Sequence, residues 1–150
     1  MIYEDNKWRV WYGAGNEFIP GPGKTLPVYN IRYMESEDGR LFPDKGKVVL
    51  DIKDGIYRVG RPNVIKNGKY YEMFYGYSTK ELPYRLAYAR SEDGRNWVED
   101  KNYLGLSYNQ EDFDSNMSAY PGVVFIEEKQ FMFYNGNNYG FEGIGLAVKK

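Results

Sequence analysis

Arg58 and Arg61 stand just ahead of and beside Pro62, and Asp112, Asp114 and Asn116 lead into Tyr120 and Pro121. Guanidinium groups in such places can hold a carboxylate or phosphate bidentately. Equally, they can be structural and paired with Asp54 or Asp114, since a buried Arg needs a partner. Asp114 can work as an acid or base, or stand as a solvated turn carboxylate. Glu17 lies in a Gly- and Pro-rich stretch over residues 13–23 and is the second candidate acid. It either overhangs a site or decorates its rim. Tyr120, Tyr139 and Phe141 offer flat apolar faces to a sugar ring. Asn116 and Asn137 add amides for hydroxyl recognition, although Asn135, Asn137 and Asn138 suit a tight turn as well. The candidates are therefore Glu17 and Asp114 for catalysis, and Arg58, Arg61, Asn116, Tyr120, Asn137 and Tyr139 for ligand binding.

Composition removes other chemistries. With no His and no Cys there is no Ser/His/Asp triad, no thiolate nucleophile and no imidazole metal ligand. Gly13-Ala14-Gly15 is not followed by a phosphate-loop Lys-Ser/Thr, and Asp51/Asp54 and Glu111/Asp112/Asp114 lack Ca-loop spacing. Neither a metal nor a cofactor is expected. A net charge of -1 with mixed signs predicts no nucleic-acid partner and no polybasic membrane patch. No apolar run approaches the ~20 residues of a membrane span, and the opening Met1-Ile2-Tyr3-Glu4-Asp5 is no signal peptide. A cytoplasmic location is the corresponding expectation.

Such side chains need a scaffold, and a repeat supplies it. Ser36-Glu37-Asp38-Gly39-Arg40-Leu41-Phe42 returns as Ser91-Glu92-Asp93-Gly94-Arg95-Asn96-Trp97, 55 residues on from Gly39 to Gly94. Sixteen Tyr, eight Phe and 17 Gly describe short half-buried strands joined by tight turns. Aromatic strands over 7–13, 70–76 and 131–136 each follow a polar turn, and Pro62 and Pro121 each precede the equivalent tyrosine, Tyr75 or Tyr134, by 13 residues. A third strand begins near Tyr29, Tyr84 and Gly143, and the first two run into the Ser-Glu-Asp-Gly turn. There the Ser and Asp side chains accept backbone N–H groups and Gly supplies positive φ.

Four antiparallel strands in about 50 residues make a propeller blade. The fold class is thus all-β, a partial β-propeller of the five-bladed type, in one domain over 1–150 with blades near 1–54, 55–110 and 111–150. In an up-and-down blade the first and third turns share one face. The opposite face carries the longer connections at 13–28, 77–83, 137–142, 51–60 and 107–119, and long dissimilar loops on a rigid scaffold hold function. Fewer than the usual ~4 to 8 blades are present. The chain is therefore expected to be a fragment lacking an N-terminal half, or to self-associate through its open blade edges.

The Pro-led inner strands, the aromatic strands at 7–13 and 70–76, the strand at 84–91 and the Ser-x-Asp-Gly-x-x-Trp turn at 91–97 resemble the five-bladed β-propeller glycosidases. These are glycoside hydrolase families 43, 62, 32 and 68, and the chain is most similar to uncharacterised polysaccharide-associated relatives of that clan. The resemblance runs through nearly the whole sequence but over about half of such a propeller. It implies a carbohydrate ligand in the central funnel and carboxylates at the starts of inner strands. A transition-state-stabilising Asp would stand at Arg61 and a general-acid Glu at Ala119, and neither position carries an acid. Two-carboxylate hydrolysis needs carboxyls about 5 to 9.5 Å apart. The resemblance therefore implies a carbohydrate-active protein, with hydrolysis resting on Glu17, Asp114 and residues outside the chain. The alternatives are a non-catalytic propeller for acidic or phosphorylated sugars, and a scaffold or degenerate fragment with no ligand.

Overall fold

The computed structural model describes residues 1–53 and 55–149. Eleven strands follow in three sets: β1 (Ile2–Glu4), β2 (Lys7–Gly21), β3 (Lys24–Ser36) and β4 (Lys47–Leu50); β5 (Ile56–Asn67), β6 (Tyr70–Thr79), β7 (Arg85–Ser91) and β8 (Val98–Glu99); β9 (Ala119–Ile126), β10 (Lys129–Asn135) and β11 (Ile144–Val148). Within each set neighbouring strands pair antiparallel, in the order of the sequence. These are the sheets of a β-propeller, two of four strands and one of three. The turns follow their residues. Asp5 and Asn6 both take positive φ (51° and 59°) between Glu4 and Lys7, the mirror-image turn that matches strand twist. Gly68, with φ of 57°, does the corresponding work between β5 and β6.

The core lies between the sheets. Trp11, Ile31, Tyr33 and Leu50 from the first sheet meet Val59, Val64, Tyr71 and Met73 from the second. Phe74, Leu86 and Tyr88 on the other side of the second sheet meet Val123, Met132 and Tyr134 of the third. A sheet apolar on both faces must be covered on both, and the middle blade is. The recurring turn is a matched pair of side-chain clamps. Ser36 Oγ accepts Gly39 N at 3.0 Å and Asp38 accepts Arg40 N and Leu41 N at 2.8 Å. Ser91 Oγ accepts Gly94 N, and Asp93 accepts Arg95 N and Asn96 N, all at 2.8 Å. Trp11 Nε1 then donates to Gly94 O at 2.7 Å, tying the first blade to the turn of the second.

One expected loop is a hairpin. Over 13–28, β2 and β3 run on past the sheet, pairing Glu17 with Val28 and Gly21 with Lys24 and closing on Pro22-Gly23, where Gly23 has φ of 66°. Gly15 looked like a loop signal, but it is needed for close approach: a Cβ there would lie 1.9 Å from Val28 O. The fourth strands are short, four residues in β4 and two in β8. Trp97 directly precedes β8, whereas β4 begins five residues after Phe42.

Candidate functional site

The two proline-led inner strands carry the same irregularity. In β5 the register slips between Gly60 and Asn63, which face Gly76 and Phe74, so one extra residue is accommodated at Arg61-Pro62. In β9 Ala119 and Gly122 face Asn135 and Phe133, which puts an equivalent bulge at Tyr120-Pro121. Arg61 and Tyr120 both adopt left-handed backbone, φ of 55° and 56°. A non-glycine residue there costs about 1 to 3 kcal/mol, and such strain gathers at functional sites. Bulges of this kind re-aim a side chain. Here the Arg61 guanidinium lies over the Tyr120 ring, 4.9 Å from its centre.

Arg58 sits three residues upstream, joined to the first blade by the parallel pairing of Tyr29 with Arg58. Its guanidinium carbon is 4.1 Å from the centre of the Tyr84 ring, 5.0 Å from Tyr57 and 5.9 Å from Tyr29. Arg58 Nε donates to Ser78 Oγ at 3.0 Å. The hydroxyls of Tyr29 and Tyr84 are hydrogen-bonded to each other. These two residues are 55 apart, the spacing of the repeat, so equivalent tyrosines of successive blades meet at their tips. Burial, then the hydrogen bond it shares with Tyr29, pushes the Tyr84 phenol far above its ordinary range. It stays a neutral phenol. Tyr84, Tyr120 and Tyr139 complete the patch, with ring centres 6.0 to 6.5 Å apart. Arg61 and Tyr139 are exposed and Arg58, Tyr29 and Tyr120 half-buried, so the group opens to solvent. Neither arginine makes an ion pair among the described residues. Of the sequence-level partners, Asp54 lies outside the described residues and Asp114 is engaged elsewhere.

Among the described residues the remaining candidates make no hydrogen bond or ion pair with either arginine. Asp114 is buried, accepting the Tyr134 hydroxyl at 2.8 Å. Asn137 is buried as well. Its Oδ1 accepts Asn116 N and Met117 N at 2.9 Å, and its Nδ2 donates to Ser115 Oγ at 3.2 Å and Glu142 Oε2 at 2.9 Å. That amide ties the chain before β9 to the turn at Asn137–Gly140, in which Asn138 and Tyr139 take positive φ (51° and 58°). Asn116 is exposed, with its side chain against Ser115. Glu17, also exposed, lines a groove with Tyr29, Asn30, Arg32 and Asp51 on the hairpin side of the first blade. Glu17 and Asp114 share no hydrogen-bond partner among the described residues. The position where the resemblance implies a general acid is Ala119, which is buried beside Tyr84 and Met117. Among the described residues no three His, Cys, Asp or Glu side chains are grouped to hold a metal.

Sequence reasoning passed over Tyr29, Tyr57, Tyr84 and Ser78. Tyr29 and Tyr84 read as ordinary strand residues and Tyr57 and Ser78 as residues of the connections at 51–60 and 77–83, and the 55-residue offset between Tyr29 and Tyr84 was the available signal.

Successive antiparallel sheets, two of four strands and one of three, packed face to face and each of the last two carrying a bulge at a proline, define a partial β-propeller. The solved structures it superposes on are of that class. A family 117 glycoside hydrolase from Zobellia galactanivorans matches 99% of this chain and 50% of its own, with TM-score 0.80 and 16% identity. A thermostable family-43 glycoside hydrolase matches 98% and 51%, with TM-score 0.68 and 20% identity. These likenesses establish the fold. In sequence, an uncharacterized protein of Mycobacterium tuberculosis (strain H37Rv) is 31% identical over 149 residues, 99% of this chain and 48% of that one. A β-1,2-mannobiose phosphorylase of Thermoanaerobacter is 33% identical over 106 residues, 65% of this chain and 35% of its own. The chain thus spans about half the length of the mycobacterial relative and about a third of the phosphorylase is matched. No protein-family model matches it.

Proposed function

We propose that the chain is a carbohydrate-active propeller segment whose arginine-tyrosine patch binds a sugar carrying negative charge, a phosphate or a carboxylate. The observation that carries this reading is the pair of guanidinium groups, Arg58 and Arg61, stacked on tyrosine rings with no ion-pair partner among the described residues. Stacking fixes each planar fork while leaving N–H donors free for a bidentate anion. The rings of Tyr120 and Tyr139 supply apolar faces for a pyranose. Binding without hydrolysis is favoured because Arg61 and Ala119 occupy the positions where the resemblance implies acids. The phosphorylase relative adds a specific possibility, that the anion is inorganic phosphate used with a neutral sugar.

Hydrolysis through Glu17 and Asp114 is the second reading, supported by the glycoside hydrolases among the structural neighbours. The buried bond from Tyr134 to Asp114 gives that carboxylate a structural occupation.

The test is a thermal melt of the chain with inorganic phosphate, a hexose phosphate, a hexuronate and an uncharged hexose, beside assays on aryl glycosides and on β-1,2-mannobiose with and without phosphate. A ligand at 100 times its Kd stabilises by about 2.7 kcal/mol. Stabilisation by the charged sugars alone, without turnover, is the expected result. Phosphate-dependent release of a sugar phosphate would make the site catalytic. Hydrolysis abolished by Glu17→Gln or Asp114→Asn would establish the second reading. No shift with any charged ligand would leave the arginines without a ligand role.

A further inference from the structure

The outer edge of β7 is left partly open in the second blade. In the first blade β4 pairs Lys47 with Tyr33 and Leu50 with Ile31. The residues 55 further on are Tyr88 and Leu86, but β8 pairs with Ala89 and Arg90 instead, and the chain then turns at 100–103. Tyr88 O accepts Asp100 N at 3.0 Å and Tyr84 O accepts Ser118 N at 2.9 Å, so the peptide groups at both positions face away from β6. Leu86 lies between them and turns its N–H and C=O the same way. Among the described residues no loop or side-chain partner reaches either group, although Leu86 is only 7% exposed. Buried backbone groups are nearly always paired, and an acceptor at this edge would satisfy the Leu86 N–H.

A cavity of about 260 Å³ opens at that edge, lined by Leu86 with Tyr77, Arg85, Lys101, Asn102 and Tyr108, and no acidic side chain is among its walls. Arg85 is half-buried, its guanidinium carbon 4.3 Å from the centre of the Tyr108 ring. Its Nη2 donates to Ser115 O at 2.6 Å and its Nη1 to Tyr84 O at 3.5 Å. Five N–H donors less those two leave three, and carbonyl dipoles do not cancel the charge. Neither Arg85 nor Lys101 makes an ion pair among the described residues, and there the Tyr77 hydroxyl and the Asn102 side-chain amide have no hydrogen-bond partner. We propose that this cavity binds a tetrahedral oxyanion, a phosphate or sulfate group, on the outer rim of the second blade. A carboxylate has two oxygens in one plane, and a single guanidinium fork can take both. Here donors come from the edge of β7, from β6 and from the turn after β8, which suits an anion with acceptors on several sides. The volume is below the ~300 to 1,000 Å³ of ordinary ligand pockets, so the cavity takes the charged end of a ligand and not a whole sugar chain. It shares no residue with the arginine-tyrosine patch and stands whether or not that patch binds a sugar.

Backbone amide NMR on the isotope-labelled chain, titrated at constant ionic strength with inorganic phosphate, inorganic sulfate and acetate, tests this. The Leu86 and Asn102 amide signals should shift and saturate with phosphate or sulfate, the tighter of the two naming the group. Acetate should bind about fivefold more weakly or worse. Lys101→Gln should weaken the tetrahedral anion about fivefold and Arg85→Gln about tenfold or more, while Arg58→Gln leaves it unchanged. Lys101 is exposed, so its variant keeps the test decisive if losing the Arg85 bond to Ser115 O loosens the chain before β9. Shifts that never saturate, acetate binding as tightly as phosphate and sulfate, or an affinity indifferent to Lys101→Gln would each overturn the proposal. So would loss of the Leu86 response in Arg58→Gln, which would trace the signal to the arginine-tyrosine patch. A Leu86 response that persists while sugars fail to bind at Arg58 and Arg61 supports this site and counts against that patch alone.

Discussion

Arg61 is the residue at which backbone and chemistry disagree most openly. Its left-handed φ of 55° suits glycine, yet the chain keeps an arginine, and keeps it exposed. Arg61→Gly should therefore hold or raise stability, by up to about 1 kcal/mol, because the left-handed penalty is removed. Binding of an anionic sugar should fall by tenfold or more in the same variant, as read by calorimetry. A purely structural arginine would show the reverse. Tyr134→Phe makes the complementary case for Asp114. Removing the hydroxyl leaves a buried carboxylate unpaired, so denaturant unfolding should report a loss of about 1 to 3 kcal/mol with no change in ligand affinity. Asp114 and Asn137 stood out as a candidate acid and a candidate amide, but their structural partners, Tyr134 for Asp114 and Met117 and Glu142 for Asn137, were not visible in the sequence. Arg61 and Tyr120 were legible because each stands before a proline that marks an inner strand.

The elements are set by close approach as much as by strand preference. Gly136 directly follows β10, whereas the equivalent Gly13 and Gly76 lie within β2 and β6, and a Cβ on Gly136 would lie 2.4 Å from a Phe113 ring carbon and 2.5 Å from Phe113 O. The ring could shift and the backbone oxygen much less, so Gly136→Ala should cost about 1 to 3 kcal/mol of overpacking, measured by urea titration. Gly122→Ala, where nothing lies within 4 Å, is the matched control. The repeat in the sequence exposed the aromatic strands and the paired turns, since Ser-x-Asp-Gly chemistry is local and needs no tertiary partner, but β5 begins at Ile56 and β6 runs to Thr79, inside the connections expected over 51–60 and 77–83. The arm over 13–28 escaped because glycine and proline serve both loops and tight hairpins. Deciding between them required knowing that Leu26 and Val28 would be buried. The two bulges escaped for a similar reason: one extra residue in a strand is invisible until its partner strand is in place.

At the scale of the whole molecule, stability should fall at both ends of the pH range. Glu35 is held down to about 2, chiefly by the hydroxyl of Tyr33 and also by Arg95. Burial works against ionising Asp93, yet the N–H groups of Asn96 and Arg95 hold it low as well. Lowered carboxylates contribute stability that is present above their unfolded values and lost as pH falls through the folded ones, so acid unfolding should develop below about pH 4.5 and proceed toward pH 2. Burial, followed by Glu35, pushes Tyr33 up to about 12, and burial raises Tyr75, Tyr88 and Tyr134 too. A raised phenol contributes stability that is complete below its unfolded value near 10 and lost through its folded one. Alkaline unfolding should therefore coincide with cooperative tyrosinate absorbance between about pH 10 and 12, and independent titration of the tyrosines before unfolding would contradict it.

The account rests most directly on charge recognition by Arg58 and Arg61, and isothermal titration of one hexose and its phosphate ester into the wild-type chain, Arg58→Gln and Arg61→Gly measures it. The phosphate ester should bind the wild type at least tenfold more tightly than the free hexose, weaken with salt, and lose that advantage in both variants. Equal affinity for the two sugars, or an advantage that survives both substitutions, would contradict the assignment of this face.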